Sequence, residues 1–366
     1  FMCTTDRDGT NINTNKRTWY EGRGIWVYSH LYNTVKQDPK YLDFARKSVE
    51  FILKQNPTGK ELMPVGYTKE GKPLRNAPDP IFYGDMFVAN GLQEYSKAAQ
   101  DDQYWDMAKE IVLKCADIYD NRPDYGNLAA TDEAPEVKRP RMIGHWFMLL
   151  RSTTQMLEKK HDPELLEINN RSIDAIMNRH YNPEFDLITE YTNHDLSRIE
   201  NDHGQVVTGH SPETLWMVMS EAVRRRDREL FDSAAERLKR HIEVLWDDIY
   251  GGMMGGLRHV DNNIWTTSKS LWLQEEVLIG TLLAIEHTGA QWAKDWFDRM
   301  YTYVLDKFPL KQYGYPIWIL YSDRKVTYMK KATRVGNFHH PRQLMVNMLA
   351  LDRMIEKGGR VSDIFT

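Results

Sequence analysis

Two kinds of helix alternate along this chain, and this alternation restricts its fold more than any other feature. One kind is simply amphipathic: over residues 228–247 apolar side chains recur every three or four positions and so share one face. The other kind carries aromatic and polar side chains together, as in His145-Trp146 or Trp26-Val27-Tyr28. Helix pairs that recur at a constant period are typical of repeat architectures.

The repeat predicts the fold class. Aromatic-polar helices recur at intervals of roughly 60–70 residues, beginning near Trp19, Ile81, Met142, His210, Lys269 and His340. Amphipathic helices are predicted near residues 39–55, 101–120, 163–181, 228–247 and 290–310. We therefore predict an all-α (α/α)6 barrel, with the aromatic-polar helices inside, as a single catalytic domain over residues 1–366. The missing first outer helix is expected upstream of Phe1. Short hairpins or irregular loops are predicted at the mouth, over residues 65–71, 187–191 and 251–256.

Composition excludes several classes of protein. The net charge is −4 with both signs interspersed, so no basic stripe indicates nucleic-acid binding. Cys3 and Cys115 are the only cysteines, which argues against a disulfide framework. No apolar run approaches the ~20 residues that span a bilayer. We expect a cytoplasmic protein that acts on a small molecule, with no nucleic-acid or membrane partner; a removed leader segment and a homodimer are left open.

The strongest local cluster is the segment 209–216, in which His210, Glu213 and Trp216 share one face of a predicted helix. Pro212 suits the first turn, where its missing N–H costs nothing. This pattern predicts an imidazole, a carboxylate and an aromatic ring at one end of an inner helix. The alternative is a capping arrangement in which His210 bonds a neighbouring loop.

A second cluster opens the next inner helix. Lys269, Trp272 and Glu276 fall on one stripe, whereas Glu275 points elsewhere, towards solvent or a partner. The alternative is an ordinary helix start, because acidic residues in a first turn are favoured by the helix dipole.

The last inner helix begins at Phe338-His339-His340-Pro341-Arg342. Adjacent histidines point in different directions, so only one can readily serve a shared site, and His339 and Arg342 are three residues apart. The alternative is a helix N-terminus with a proline near its first position.

The first three inner helices add weaker candidates. Arg23 lies between Trp19 and Trp26 on one face, which suits stacking and a guanidinium held in place; the alternative is an Arg that bridges loops. Tyr83 and His145 are candidates for sugar contacts, although a single histidine is most often structural. Near the N-terminal ends of most inner helices such residues recur, and a ring would point them at one axis.

This residue set favours proton transfer on a sugar. It lacks metal-ligand spacing and a dinucleotide fingerprint, so no metal or cofactor is predicted. Tryptophans stack on sugar faces, and histidine transfers protons near neutral pH. Two histidines on opposite sides of a carbon acid could invert a stereocentre, if a cation such as Arg23 stabilises the enediolate oxygens.

Five motifs in order resemble the N-acylglucosamine 2-epimerase (renin-binding protein) family, with its relatives cellobiose 2-epimerase and mannose isomerase. The similar segments are residues 1–9, ending Asp6-Arg7-Asp8-Gly9; 22–28, Gly-Arg-Gly-Ile-Trp-Val-Tyr; 209–213, Gly-His-Ser-Pro-Glu; 269–276, Lys-Ser-Leu-Trp-Leu-Gln-Glu-Glu; and 338–342, Phe-His-His-Pro-Arg. The chain departs from the family where Leu273 replaces a usual proline, where His340 replaces valine, and at residues 253–255, where aromatics are common.

The resemblance implies a cofactor-independent 2-epimerase for an N-acyl-D-glucosamine (GlcNAc to ManNAc). It implies that His210 and His339 are the acid/base pair at C2 of the open-chain sugar. Glu213 and Glu276 would orient the histidines or bind hydroxyls, and Arg23 would hold the O1/O2 side. Substrate-binding residues would be Trp26, Tyr83, His145, Trp216, Lys269, Trp272 and Arg342. ATP activates some members, and its effect here is left open.

Three alternatives are kept. The first is another sugar isomerase, either an aldose–ketose isomerase of the mannose type or a cellobiose-type 2-epimerase. The second is an inverting glycoside hydrolase, which would need two carboxylates roughly 6.5–9.5 Å apart. The third is a non-catalytic sugar-binding or partner-binding protein.

Overall fold

A computed structural model describes residues 1, 10–56, 62–74, 82–121, 141–199, 205–310, 315–316, 319–321, 324–325 and 338–365. Within these residues the chain is mostly α-helical. The helices are α1 (Thr18–Thr34), α2 (Pro39–Gln55), α3 (Tyr83–Ala99), α4 (Gln103–Asn121), α5 (Ile143–Lys159), α6 (Pro163–Asp174), α7 (His210–Arg225), α8 (Arg228–Leu245), α9 (Leu271–Thr288), α10 (Gln291–Lys307) and α11 (His339–Glu356). A π-helical turn, Ala175–Arg179, continues α6.

The strands are short and lie between the helices. They are β1 (Lys16–Arg17), β2 (Gly66–Tyr67), β3 (Arg141–Met142), β4 (Tyr181–Asn182), β5 (Leu187–Ile188), β6 (Tyr191–Thr192), β7 (Val206–Val207), β8 (Gly256–His259), β9 (Ile264–Thr266), β10 (Ser268–Ser270), β11 (Pro309–Leu310), β12 (Tyr315–Pro316), β13 (Ile319–Tyr321) and β14 (Arg324–Lys325). They pair as small antiparallel sheets, such as β7-β8-β9 and β10-β13-β14. The predicted hairpins and loops are confirmed at 65–71, 187–191 and 251–256, where Gly251 and Gly252 have φ of +77° and +81°.

The chain divides into two compact units. The N-terminal unit contains Asn11–Asp174 and Asn193–Ser197 and therefore α1 to α6. In it α3 packs against both α1 and α5, while α2, α4 and α6 pack on the helices that precede them.

The C-terminal unit contains Ala175–Thr192 and Arg198–Thr366 and therefore α7 to α11. Its arrangement repeats that of the N-terminal unit: α9 packs against both α7 and α11, while α8 and α10 pack on the helices that precede them. The prediction of a single domain over residues 1–366 stays a prediction.

Burial separates the two kinds of helix that the sequence indicated. Nearly every residue of α3 is buried, including polar ones such as Asp85, Asn90 and Gln93. In α2, by contrast, only Ala45, Ser48, Val49 and Ile52 are buried. The alternation is therefore confirmed, and so is the all-α fold class.

Local sequence explains several helix ends. Asp38 caps α2 by accepting a hydrogen bond from the Lys40 N–H at 3.1 Å, and Pro39 follows in the first turn. Asp227 caps α8 in the same way, accepting from Leu230 N–H at 3.0 Å. Gly289 ends α9 with φ of +67°, a conformation that glycine adopts without strain.

One predicted boundary is wrong. Lys269 does not open α9, because Ser268–Ser270 is extended and pairs with Ile319–Tyr321 as part of a sheet; α9 begins at Leu271. The Asp-x-Asp-Gly segment of residues 6–9 lies outside the described residues. Within the described residues no helix has the length and apolarity to cross a bilayer, and Cys115 is a buried free thiol.

Candidate active site

His210 stands at the first position of α7, beside a buried carboxylate that the sequence analysis did not select. Both carboxylate oxygens of Glu190 lie 3.0 Å from His210 Nδ1. Glu190 is only 3% exposed and sits between β5 and β6, where its own N–H donates to the Gln205 carbonyl. Among the described residues, His210 is the only ion-pair partner of Glu190.

The electrostatics of His210 follow from this pairing. Burial alone lowers the pKa of an imidazole, but the Glu190 carboxylate, helped by Glu213 and Glu276, more than offsets burial and raises the pKa of His210. Because the Glu190 carboxylate occupies Nδ1, Nε2 is the ring nitrogen that faces away from it. His210 is thus arranged to carry a proton near neutral pH.

His339 opens α11 and has a second, differently built carboxylate contact. Its Nδ1 lies 2.9 Å from Glu276 Oε1, and Arg342 Nη2 lies 3.1 Å from the same nitrogen. Arg342 donates to that same Glu276 oxygen. The carboxylate that orients His339 is therefore shared with a guanidinium.

Arg342 is the centre of this second group. It is 1% exposed and donates to Glu213 Oε1 at 2.7 Å as well as to Glu276. Its guanidinium lies between two rings, 5.2 Å from the Trp216 centroid and 4.6 Å from that of Phe338. Burial would lower the pKa of Arg342, but Glu276 and Glu213 raise it, so the charge persists.

Trp216 supports Glu276 from the other side. Its indole N–H donates to Glu276 Oε2 at 2.8 Å, and the ring is 1% exposed. Both oxygens of Glu276 are thereby occupied, which holds the carboxylate rigidly. The predicted role of Trp216 as a sugar platform stays a prediction, and its surroundings favour a supporting role.

The ring of Trp272 lies close to both histidines. Its ring centroid lies 5.7 Å from that of His210 and 5.0 Å from that of His339, so the two imidazoles cannot be farther apart than these distances together. A Cβ added to Gly209 would lie 2.1 Å from the Trp272 ring, so glycine is what admits the ring here. The two imidazoles therefore lie beside the same ring.

Three of these groups also have a geometry that a metal ion could use. One ligand atom each from Glu213, Glu276 and His339 lies within 4.8 Å of the others. Arg342 Nη2 donates to Glu213 and Glu276 and lies 3.1 Å from His339 Nδ1, so a permanent cation already balances the two carboxylates. The prediction that the site needs no metal was made from sequence and stays a prediction.

Lys269 lies in a different setting from the one predicted. Its ammonium is fully buried and bonds Asp247 Oδ2 at 2.5 Å and the Gly251 carbonyl at 2.6 Å. Burial would raise the pKa of Asp247, but the Lys269 ammonium lowers it below its usual value. Lys269 therefore holds the 247–253 loop, and this environment does not favour the predicted contact with substrate.

The remaining predicted residues belong to the N-terminal unit. The Arg23 guanidinium lies 4.2 Å from the Phe87 ring centroid and 5.4 Å from that of Trp19, one of the two tryptophans predicted to flank it. Trp26 is 1% exposed, and its indole N–H donates to Gln155 Oε1 at 3.2 Å, so its surroundings are those of a core residue.

Tyr83 and His145 pack together in the same unit. Their ring centroids are 5.1 Å apart, and His145 is buried between Tyr83 and Phe82. The Tyr83 hydroxyl occupies the space that a Cβ on Gly144 would need. For Arg23, Trp26, Tyr83 and His145 the predicted roles stay predictions.

Comparison with known families gives a match over most of the chain. The model of a family described as N-acylglucosamine 2-epimerase (GlcNAc 2-epimerase) matches residues 1–343. The N-acylglucosamine 2-epimerase of Bos taurus is 23% identical over 381 residues, which cover 100% of this chain and 88% of the relative.

Solved structures of sugar epimerases are similar to this chain over nearly its whole length. A sugar epimerase from a ruminal bacterium superposes with a TM-score of 0.82 at 16% identity, covering 99% of this chain and 93% of that one. Cellobiose 2-epimerase from Bacillus thermoamylovorans B4167 superposes with a TM-score of 0.81 at 15% identity, covering 94% and 91%. At such identities the likeness concerns the fold, and it confirms the predicted (α/α)6 class.

Proposed function

This chain belongs to the N-acylglucosamine 2-epimerase family, and we propose that it interconverts an N-acyl-D-glucosamine and its 2-epimer, GlcNAc and ManNAc, by proton transfer between two histidines. As a member it is a carbohydrate epimerase. The single observation that carries the mechanism is the pair of imidazoles that both contact Trp272, each held at Nδ1 by a buried carboxylate.

Inversion at C2 needs one group to remove a proton and another to supply one on the opposite face. His339 takes the C2 proton at Nε2, while its Nδ1–H donates to Glu276, which stabilises the imidazolium that forms. The electrons of the broken C–H bond form a C1=C2 double bond, and the C1 carbonyl oxygen becomes an oxyanion.

His210 completes the reaction. Since Glu190 raises its pKa, His210 enters as an imidazolium and gives its Nε2 proton to C2 from the other side. The C1 carbonyl then re-forms and the configuration at C2 is inverted. In the reverse direction His210 is the base and His339 the acid, so no external oxidant or cofactor is needed.

The oxyanion needs a partner while it exists. Arg342 is committed to Glu213 and Glu276 in the interior, so it is poorly suited to bind O1 directly. Arg23 was predicted for this task from its motif, and that assignment remains part of the proposal.

The histidine-rich set also weighs against glycoside hydrolysis. Such enzymes need one carboxyl that donates a proton and one that activates water or attacks the sugar. Here Glu276 is engaged by Arg342, His339 and Trp216, and Glu213 by Arg342. Neither is arranged as an independent acid.

The test is turnover of free sugars in heavy water, followed by NMR. GlcNAc, ManNAc, mannose and cellobiose would be incubated separately with the protein. We expect interconversion of GlcNAc and ManNAc with deuterium incorporated at C2. Epimerisation with full retention of hydrogen at C2 would contradict the mechanism. Turnover of mannose or cellobiose alone would contradict the substrate, and no turnover of any sugar would leave a binding protein.

A further inference from the structure

A second histidine–carboxylate pair lies beside the one at His339. Glu275 and Glu276 are successive residues of α9, and His340 and His339 are successive residues of α11. His340 Nδ1 is hydrogen-bonded to Glu275 Oε1, parallel to the contact between His339 and Glu276. Of these two adjacent pairs, the mechanism above uses the one at His339 and not the one at His340.

Glu275 depends on His340. The carboxyl is 1% exposed, and its Oε2 has no hydrogen-bond partner among the described residues. His340 therefore supplies the only side-chain hydrogen bond that Glu275 has in this part of the chain. A buried carboxyl without a partner is costly, so the pair acts as a unit.

The start of α11 needs such a contact. Its N-cap residue, Phe338, provides no side-chain hydrogen bond to the helix, so the orientation of the first turn depends on contacts with neighbouring helices. His339 and Arg342, three residues apart, lie on one stripe and both meet Glu276. These two contacts lie on one stripe and so hold the first turn of α11 from one side only.

His340 supplies a contact off that stripe. Successive residues of a helix are about 100° apart around its axis, so the bond from His340 to Glu275 holds α11 at a second azimuth. Rotation of the first turn would break one bond or the other. The imidazole of His339 is thereby kept in one orientation relative to α9.

We propose that His340 and Glu275 form a positioning pair that holds His339 in the orientation needed for proton transfer. The proposal rests on the function proposed above. Neither residue needs to touch the sugar. Loss of the pair therefore slows proton transfer and leaves sugar binding nearly unchanged.

Two substitutions of His340 separate positioning from bulk. In His340→Val the hydrogen bond is lost and Glu275 is left without a partner. We expect kcat to fall about 10- to 100-fold with KM within about twofold, because a displacement of about 1 Å can cost about 100-fold in rate. In His340→Asn the side-chain amide donates in place of Nδ1–H. We expect kcat to return to within about threefold of the parent.

The matched control is His161→Val, which makes the same exchange at an exposed histidine of the N-terminal unit. It should leave kcat and KM unchanged. Thermal unfolding of every variant identifies any loss of activity that comes from unfolding. A folded His340→Val protein with kcat within twofold of the parent would overturn the proposal.

A crystal structure of His340→Val separates this proposal from the proposed function. We expect the contact between His339 Nδ1 and Glu276 to be lost or lengthened by about 1 Å, whichever sugar is the substrate. If the contact keeps its 2.9 Å length, the pair does not position His339. If the contact is lost but the parent turns over no sugar, the proposed function fails and the positioning role of the pair stands.

Discussion

The carboxylate partners of the two histidines differ in the element that carries them and in whether they bind a second cation. His210 meets Glu190, which comes from the segment between two short strands and has no other ion-pair partner among the described residues. His339 meets Glu276, which comes from a neighbouring helix and is shared with Arg342. Both are histidine–glutamate pairs, but a positively charged guanidinium is added only to the pair at His339. The unshared carboxylate raises the pKa of His210, whereas the carboxylate beside His339 is also paired with a guanidinium.

This difference suits a reaction that needs one acid and one base at the same time. Two histidines with identical surroundings would be protonated together or neutral together over most of the pH range. Unequal partners give a larger share of the one active combination. The substitutions below test whether the inequality exists and which contacts maintain it.

Removing either histidine has the largest expected effect. His210→Ala and His339→Ala should each lower kcat for epimerisation by about 10²- to 10⁴-fold, the usual contribution of a general acid or base. Each variant retains one base, so each should still exchange the C2 hydrogen of one epimer with heavy water. The two variants should exchange opposite epimers, which NMR of GlcNAc and ManNAc would show. Exchange of the same epimer by both would mean that the histidines do not face opposite sides of C2.

Neutralising the unshared carboxylate has the next largest effect. Glu190→Gln removes a charge-assisted hydrogen bond of roughly 1.5–3 kcal/mol, so kcat/KM should fall about 10- to 100-fold. Since the carboxylate raises the pKa of His210, the substitution lowers it. His210 acts as the protonated acid, so the basic limb of the pH profile should move to lower pH.

Glu184→Gln is the control for Glu190→Gln, because Glu184 is an exposed carboxylate in the loop between β4 and β5. It should leave the pH profile unchanged. A Glu190→Gln profile whose basic limb stays in place would show that Glu190 does not set the protonation of His210.

Changing the shared partner should act differently. Arg342→Lys keeps the charge but loses the planar guanidinium, whose Nη2 donates to both Glu213 and Glu276 and which lies close to the rings of Trp216 and Phe338. We expect kcat to fall about tenfold, equal to about 1.4 kcal/mol. The basic limb should not move, because the partner of His210 is intact. A shift as large as that of Glu190→Gln would mean that the two histidines titrate as one coupled group.

The difference between the two histidine–carboxylate pairs also shows what the sequence could and could not predict. The all-α repeat follows from periodicity, because the two kinds of helix differ in composition along their whole length. His339 and Arg342 were found because both lie on one helical stripe, and their motif occurs with four others in order. Glu276 lies 63 residues from His339, and the resemblance, not the spacing, suggested that it orients a histidine. The bond from Arg342 to Glu276 was not predicted, because Arg342 was assigned to substrate binding.

Glu190 was missed because it lies between two-residue strands, which have no periodic signal. One sign was available: a lone carboxylate among Leu187, Ile188 and Tyr191, where burial would demand a partner. Lys269 was placed on the wrong element because the stripe it shares with Trp272 exists only if the helix begins early. The true start at Leu271 is set by the pairing of Ser268–Ser270 with Ile319–Tyr321, a long-range contact that local sequence does not encode.

The smallest expected effect belongs to the residue that the two histidines share. Trp272→Phe keeps an aromatic ring but reduces its area, and an aromatic contact contributes roughly 0.5–1 kcal/mol, so KM should rise about 2- to 5-fold. Because Trp272 lies beside both histidines, the change should be similar for GlcNAc and ManNAc. Trp265→Phe, on the β9 strand, is the control and should leave both values unchanged. A rise in KM for one epimer alone would mean that Trp272 acts with only one of the two histidines. The two halves of the site would then differ in their aromatic contacts as well as in their charges.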